Sequence, residues 1–284
     1  MMQIGGRTEL LKKFTPMEMM VVEASRLIHD NTTVFVGVGL SLLPSQLAQR
    51  TRTPGIVQVF ESGIIGASAT GRAPWGVDDT ALQANATAFC DLMSALGWMA
   101  MNNKFDLCFL GAAQVDKYGN VNSTVIGDYA RPRSRLPGSG GAHDVAAGGQ
   151  RYVVLVRHDK LHLVERLDYR TSPGFIIGGV SREELGLPGG GPSAIVTDLG
   201  SLTPDPKTRE FILSRVHPYS TITDIRNNTG WDLKVSDRVE ESLPPTDEEL
   251  NVLRNELDVE GEFTGWKKPT PETSTPRHPP AGVH

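Results

Sequence analysis

The chain has 284 residues, of which 39% are hydrophobic and 21% are charged, so it is long enough to bury a large core. Its 28 Lys and Arg against 33 Asp and Glu give a net charge of −5, which disfavours nucleic acid as a partner. Two cysteines cannot form a disulfide framework, and the apolar runs stop far short of the ~20 residues of a membrane helix. The N-terminus is too polar for a signal peptide. These features predict a cytoplasmic globular protein with no membrane partner.

Capping boxes predict two helices. Thr15 precedes Pro16, and Glu18 stands three residues after Thr15, which is the pattern of a helix start. Apolar residues then recur at helical spacing to about Asp30. A second box at Thr246 predicts a helix near the C-terminus that carries three leucines on one face: Leu250, Leu253 and Leu257.

Short apolar runs predict the strands of one sheet. These runs, rich in β-branched residues, are 34–39, 56–60, 106–111, 152–157 and 194–197. A short helix is predicted over 44–50. Helices that alternate with strands over short connections indicate an α/β fold, an open and mainly parallel sheet with helices on both faces. We expect one domain over residues 1–266, followed by a Pro-rich disordered tail over 267–284.

The middle of the chain has a different composition. Residues 111–149 are rich in Gly, Asn, Ser and Arg and show little periodicity. A structureless loop of this length is unusual in a compact domain unless it is functional or packs on itself.

Glu61 is the first candidate for chemistry. It directly follows the strand predicted over 56–60, and Gly63 permits a tight turn behind it. Ligands of open α/β sheets gather at the carboxyl ends of strands, where a partly desolvated Glu can attack a carbonyl or transfer a proton. The alternative is that Glu61 only caps the following turn.

A glycine-rich loop is the second candidate. It consists of Gly138, Ser139, Gly140, Gly141 and Ala142. Small residues allow backbone N–H groups to approach an anion or a developing oxyanion. The loop matches neither nucleotide-binding pattern, and a flexible surface loop is the alternative interpretation.

Three arginines and one histidine are the remaining candidates for a functional role. Arg131, Arg133 and Arg135 could bind a phosphate or carboxylate, although solvated surface arginines are the commoner outcome. His143 adjoins the glycine-rich loop and could line a pocket. The seven histidines show no metal-binding pattern, so no metal is expected. Cys90 and Cys108 have apolar neighbours and are interpreted as core residues.

Several longer motifs occur in one order along the chain. They lie at 111–116, 118–124, 126–129, 138–142, 171–174, 185–189 and 228–230. Together they resemble the β subunit of family I coenzyme A-transferases, in the glutaconate CoA-transferase branch, over residues 15–263. In that branch the catalytic glutamate stands in a Glu-Ser-Gly motif at the end of a strand, which Glu61, Ser62 and Gly63 match. Other branches use Ser-Glu-Asn-Gly, so the match implies a dicarboxylate-type branch.

The resemblance implies a covalent mechanism without a resident cofactor. Glu61 would attack an acyl-CoA thioester, and CoA, a substrate here, would return to form a glutamyl-CoA thioester before transfer to an acceptor acid. Residues 138–142 would supply oxyanion stabilisation and CoA contacts. Arg135 or His143 could contact a distal carboxylate of the acid.

The resemblance also implies a second chain. Members of this branch pair an α and a β subunit with the active site between them, so we expect a separate α subunit, as α2β2. Relatives of the fold act as acyl-CoA hydrolases or decarboxylases, but retention of Glu61 disfavours both. A non-catalytic metabolite-binding regulator is a further alternative, weakened by the absence of a DNA-reading module.

Overall fold

A computed structural model describes residues 4–37, 39–68, 71–177 and 181–267 of the chain. The helices are α1 Ile4–Lys13, α2 Pro16–Ser25, α3 Leu43–Arg50, α4 Ala142–Gly148, α5 Ile222–Asn227 and α6 Asp247–Val252. The segments Gly39–Leu42 and Thr80–Gln83 are 3₁₀ turns, and Met93–Ala100 and Leu253–Leu257 are π-helical. In the described ranges no helix is long and apolar enough to cross a bilayer.

The strands of the described residues form one large sheet and two small hairpins. They are β1 Thr33–Val36, β2 Val57–Phe60, β3 Ile64–Ile65, β4 Ala88–Phe89, β5 Leu107–Gly111, β6 Gln114–Val115, β7 Val121–Asn122, β8 Val125–Gly127, β9 Pro132–Arg135, β10 Tyr152–Leu155, β11 Pro192–Val196, β12 Gly200–Pro204, β13 Phe211–Val216 and β14 Val235–Glu241. The large sheet has the order β14-β13-β12-β11-β10-β5-β1-β2-β3-β4.

The centre of the large sheet is parallel, as predicted. The five strands from β2 to β11 pair in parallel, with Val34 opposite Leu107 and Phe35 opposite Val59. Antiparallel strands extend both sides, β3 and β4 beyond β2 and β12 and β13 beyond β11. The sheet is therefore open and mainly parallel at its centre, where all five predicted runs are found.

Helices cover both faces of this sheet. Alternate residues of the central strands point to opposite sides, so Phe35 and Val154 pack with the segment Met93–Ala100, α4 and α5. Val34 and Val153 pack on the other side with α2 and α3. The continuous burial of β1, β5 and β10 explains why these strands are apolar runs rather than alternating patterns.

Both predicted capping boxes are confirmed. The Thr15 hydroxyl accepts from the N–H of Glu18, and the Thr246 hydroxyl accepts from the N–H of Glu249. The first of these helices ends at Ser25 rather than Asp30, because its last turn tightens: the N–H of Ile28 bonds to the Ser25 carbonyl three residues back.

The structure adds elements to the middle of the chain and corrects one expectation. Residues 111–149 contain β6 to β9 and α4, which the sequence did not predict, and α4 begins at Ala142, the last residue of the glycine-rich loop. Cys108 is a core residue, but Cys90 is only half-buried and its neighbour Phe89 is 64% exposed. The disorder predicted for 267–284 concerns residues of which all but Lys267 lie outside the described ranges.

Candidate active site at the carboxyl ends of the central strands

A cavity of about 350 Å³ opens where the strand order reverses. The chain proceeds from β1 to β2 on one side, whereas β5 and β10 lie on the other side of β1. Such a reversal leaves a crevice outside the carboxyl ends of the strands. Gly37 follows β1 and Gly111 ends β5, and both line the cavity together with Glu61. The cavity therefore lies at the edge of the sheet where a ligand site was expected.

Glu61 is held at the end of β2 by the turn that follows it. The strand ends at Phe60, and Gly63 reverses the chain with φ +89°, a conformation that favours glycine. A Cβ on Gly63 would lie 1.9 Å from the carbonyl oxygen of Cys90, so no side chain fits there. The turn thereby fixes the position from which the half-buried Glu61 side chain enters the cavity.

The glycine-rich loop contacts the Glu61 carboxylate directly. The Gly141 N–H donates a hydrogen bond of 2.9 Å to Oε1 of Glu61. A Cβ on Gly140 would lie 3.3 Å from the same oxygen, so the loop backbone approaches the carboxylate more closely than a larger residue would allow. Within the described residues Oε2 has no hydrogen-bond donor.

Hydrogen bonds within the loop and to Ser123 hold the loop in place. The Gly138 N–H donates to the Ser123 carbonyl at 2.9 Å, and the Ser123 hydroxyl donates to the Gly138 carbonyl at 2.8 Å. The Ala142 N–H donates to the Ser139 carbonyl. The N–H groups of Gly138 and Ala142 therefore already have acceptors, the carbonyls of Ser123 and Ser139. Among described residues nothing accepts from the N–H of Ser139 or Gly140.

Part of the loop is buried, unlike the surface loop of the alternative interpretation. Gly141 is buried, and a Cβ there would lie 2.6 Å from Cδ2 of Leu96. Leu96 belongs to the π-helical segment Met93–Ala100, whose buried side packs against α4. Sequence reasoning missed both Leu96 and Ser123 as supports of the site, although Ser123 stands within one of the quoted motifs.

The remaining candidates lie away from this cavity. The Arg135 side chain is exposed on β9, with its guanidinium 4.8 Å from the centre of the Tyr129 ring. His143 is exposed at the start of α4, and its Nδ1 lies 3.2 Å from the Thr171 carbonyl oxygen. It lines a second cavity of about 300 Å³ together with Arg170. The structure therefore brings residues 138–142 to Glu61, but not Arg135 or His143.

Other reactive groups do not compete with Glu61. Partial burial, and to a lesser degree the charge of Asp91, raise the pKa of the Cys90 thiol, which keeps it protonated. In the part of the chain that the structure describes, no three His, Cys, Asp or Glu side chains are grouped to hold a metal. Among the described residues that line the cavity, Glu61 is the only one with an ionisable side chain.

Comparisons with known proteins agree with this geometry. Residues 17–228 match the family model described as Coenzyme A transferase. The chain is 38% identical to the β subunit of 3-oxoadipate CoA-transferase from Pseudomonas knackmussii, over 86% of this chain and 94% of that one. It is 37% identical to the β subunit of glutaconate CoA-transferase from Acidaminococcus fermentans, over 86% and 93%.

The fold is also similar to a solved structure. The crystal structure of glutaconate coenzyme A-transferase from Acidaminococcus fermentans superposes with a TM-score of 0.82 at 36% identity, covering 88% of this chain and 97% of that one. The family model spans most of the chain, and the relatives match along nearly their whole length. This chain therefore belongs to the coenzyme A transferase family.

Proposed function

We propose that this chain is the catalytic subunit of a CoA-transferase that moves CoA between an acyl-CoA and a carboxylic or dicarboxylic acid. The observation that carries the proposal is the state of Glu61: Oε1 accepts the Gly141 N–H, and Oε2 has no donor among the described residues. One carboxylate oxygen is thereby oriented while the other is left to attack.

The first half of the reaction opens the thioester. Oε2 of Glu61 bonds to the acyl carbonyl carbon, the carbon–sulfur bond breaks, and CoA leaves as a thiolate. The product is a mixed anhydride of Glu61 and the acyl group. The oxyanion that forms on the acyl oxygen requires donors, and the unpartnered N–H groups of Ser139 and Gly140 are the groups that we assign to it.

The second half transfers CoA to Glu61. The thiolate attacks the Glu61 carbonyl carbon, an oxyanion forms on Oε1, and the anhydride bond breaks to release the first acid. The Gly141 N–H, 2.9 Å from Oε1, is within the distance at which a backbone donor stabilises an oxyanion. An acceptor carboxylate then attacks the glutamyl-CoA thioester, and the same steps run in reverse.

The walls of the cavity suit an intermediate that water would destroy. Phe35, Phe109, Leu110 and Leu136 supply apolar surface around Glu61. An acyl-glutamyl anhydride survives only where water is kept out, since hydrolysis would turn the transferase into a hydrolase. For a dicarboxylic acid that extends beyond this cavity, His143 and Arg135, whose side chains do not line it, stay our candidates for the distal carboxylate. CoA enters and leaves as a substrate, and we assign no resident cofactor.

An exposed apolar strip supports a second subunit. The strip, defined here by its five residues, contains Phe89 at 64%, Leu92 at 51%, Met93 at 75%, Trp98 at 60% and Met101 at 39% exposure. Large apolar side chains gathered in so short a segment are typical of an interface rather than of a solvated surface.

The position of the apolar strip links it to the active site. Two of its five residues, Met93 and Trp98, belong to the segment Met93–Ala100 and the other three flank it, while Leu96 of the same segment packs against Gly141. A partner that covers the apolar strip therefore sits one helix away from Glu61. We propose an α-type subunit as this partner, in an α2β2 assembly in the cytoplasm.

Trapping the covalent intermediate tests the proposal. The chain is co-expressed with an α-type subunit from the same genome, and the complex is incubated with a panel of acyl-CoA esters and then with borohydride. A glutamyl-CoA thioester at Glu61 is reduced to an alcohol that peptide mass spectrometry locates. We expect the Glu61→Gln complex to give no reduced alcohol at position 61. Its kcat should be at least about 10³-fold lower, because the substitution removes the nucleophile.

An exposed carboxylate provides the matched control. Glu260→Gln alters a glutamate at the surface, so this variant should still give the reduced alcohol at Glu61 and should keep the normal kcat. An active Glu61→Gln complex would refute the assignment. Free CoA that accumulates without an acceptor acid would instead indicate a hydrolase on the same fold.

A further inference from the structure

Arg182 is a buried cation that forms no salt bridge within the described residues. The residue is 6% exposed, and each hydrogen bond that its guanidinium makes within the described residues goes to a backbone carbonyl. A buried charge costs free energy unless hydrogen bonds compensate for its lost hydration. In the described ranges of the chain, Arg182 meets this requirement with backbone carbonyls.

Five carbonyl oxygens from three segments accept from this guanidinium. Nε donates to Gly189 at 2.7 Å, and Nη1 donates to Pro173 at 3.2 Å and to Gly174 at 2.7 Å. Nη2 donates to Ala146 at 2.5 Å and to Ala147 at 3.1 Å. Only the planar, five-donor group of arginine reaches several acceptors in fixed directions at once.

The packing around Arg182 is so tight that a shift of its loop would also move the end of α4. A Cβ on Gly191 would lie 2.8 Å from Cδ of Arg182, and a Cβ on Gly189 would lie 2.3 Å from the Gly149 carbonyl oxygen. The Gly189 N–H also donates to the Ala147 carbonyl at 2.8 Å. The end of α4 is thereby fixed against the loop that carries Arg182 and Gly189.

The opposite end of α4 carries the contact to Glu61. Ala146 and Ala147 belong to the last turn of α4, whose carbonyls have no partners within the helix. Gly141 is the residue immediately before α4, and its N–H bonds to Oε1 of Glu61. At 1.5 Å rise per residue, Gly141 lies only about 7.5 Å along the axis from Ala146.

We propose that Arg182 is a positioning residue that fixes α4 so that the Gly141 N–H stays on Oε1 of Glu61. It touches neither substrate nor the reacting atoms. Its loss would free the C-terminal end of α4 and let the Gly141 N–H move by fractions of an ångström relative to the carboxylate. This inference rests on the proposed function, since Glu61 must be the reacting group.

The test measures the chemical step per active site. In the assembled complex, borohydride trapping gives the number of competent sites, and rapid mixing gives the rate of glutamyl-CoA formation at each one. We expect Arg182→Met to lower this rate about tenfold to hundredfold, the effect of misplacing a catalytic group by a fraction of an ångström to 1 Å. KM for the acyl-CoA should change less than about threefold, and Arg182→Lys should restore part of the rate.

Arg26 provides a matched control. Its guanidinium also donates to backbone carbonyls, those of Leu243 and Pro244, and it forms an ion pair with Glu249, so it links the end of α2 to α6 and the residues before it. Arg26→Met should lower the melting temperature without changing the rate per site.

Three outcomes would overturn the inference. The first is an Arg182→Met complex with a normal rate per site. The second is a loss that appears only as fewer competent sites, and the third is failure of both Arg182 variants to assemble; each would make Arg182 structural. A wild-type complex that forms no thioester would overturn the proposed function itself, so the two failures are distinguishable.

Discussion

The N–H of Gly141 donates to Oε1 of Glu61 across 80 residues of sequence, at a distance of 2.9 Å. This hydrogen bond joins the end of β2 to the start of α4. It places Glu61 and the glycine-rich loop, the first two candidates from the sequence, in direct contact. Because Oε2 has no donor among the described residues, the same contact distinguishes the two oxygens of one carboxylate.

Gly140→Ala should impair the reaction more than the fold. The new methyl group would lie 3.3 Å from Oε1 of Glu61, so the carboxylate must shift by a few tenths of an ångström away from its donor. Displacement of a reacting group on this scale lowers kcat by about tenfold or more. Steady-state kinetics and a thermal melt of the same complex measure the two effects.

The control for Gly140→Ala separates backbone strain from contact with Glu61. Gly265 also has positive φ, and a Cβ there meets nothing within 4 Å. Gly140→Ala and Gly265→Ala should each lower the free energy of unfolding by about 1 kcal/mol, because both place a side chain at positive φ. Gly265→Ala should keep the normal kcat. Equal kcat values for both variants would contradict a role for the loop at Glu61.

Trp98→Glu should weaken assembly with the α-type subunit. Trp98 is 60% exposed on the apolar strip, and a carboxylate buried in an interface without a partner is costly. We expect the dissociation constant to rise at least about tenfold, as for truncation of an interface hot spot. Light scattering and titration of the two subunits measure the change.

A second exposed apolar residue serves as the control for the apolar strip. Leu161 is 79% exposed but lies outside the apolar strip, so Leu161→Glu should leave the dissociation constant unchanged. If both substitutions have the same effect, the apolar strip is an ordinary surface.

The stability of the fold should fall on acidification because of two buried histidines. Burial lowers the pKa of His158 and of His217 to about 4, whereas in the unfolded chain each titrates near about 6.5. Between these values the unfolded state binds protons that the folded state does not. The free energy of unfolding should therefore decrease as the pH falls from about 6.5 toward about 4, by up to about 1.4 kcal/mol per pH unit for each histidine.

Urea unfolding at about pH 7 and about pH 5.5 measures this slope. His217→Gln keeps a donor for the Thr197 carbonyl, which His217 Nε2 approaches to 2.9 Å, and should remove about half of the slope. His29→Gln, at an exposed position, is the matched control. If the free energy of unfolding of His217→Gln depended on pH as strongly as that of the wild type, His217 would not be a source of this pH dependence.

Local chemistry in the sequence determined much of the fold. Each capping box, at Thr15 and at Thr246, is complete within four residues. The apolar runs of β1 and β5 are typical of strands that are buried on both faces of a sheet. Strand–helix alternation then requires a parallel sheet, whose carboxyl ends gather at one edge. Glu61 could be singled out for the same reason, since its place directly after a strand is visible in the sequence.

Tertiary structure decided what the middle of the chain does. The Gly141 N–H reaches Glu61 only because β5 returns beside β1 and α4 packs on the sheet, and no local pattern encodes that approach. The burial of Gly141 against Leu96, and the carbonyls that surround Arg182, depend likewise on segments far apart in sequence. Backbone contacts of this kind involve groups that every residue carries, so side-chain patterns predict the nucleophile but not the donors that orient it.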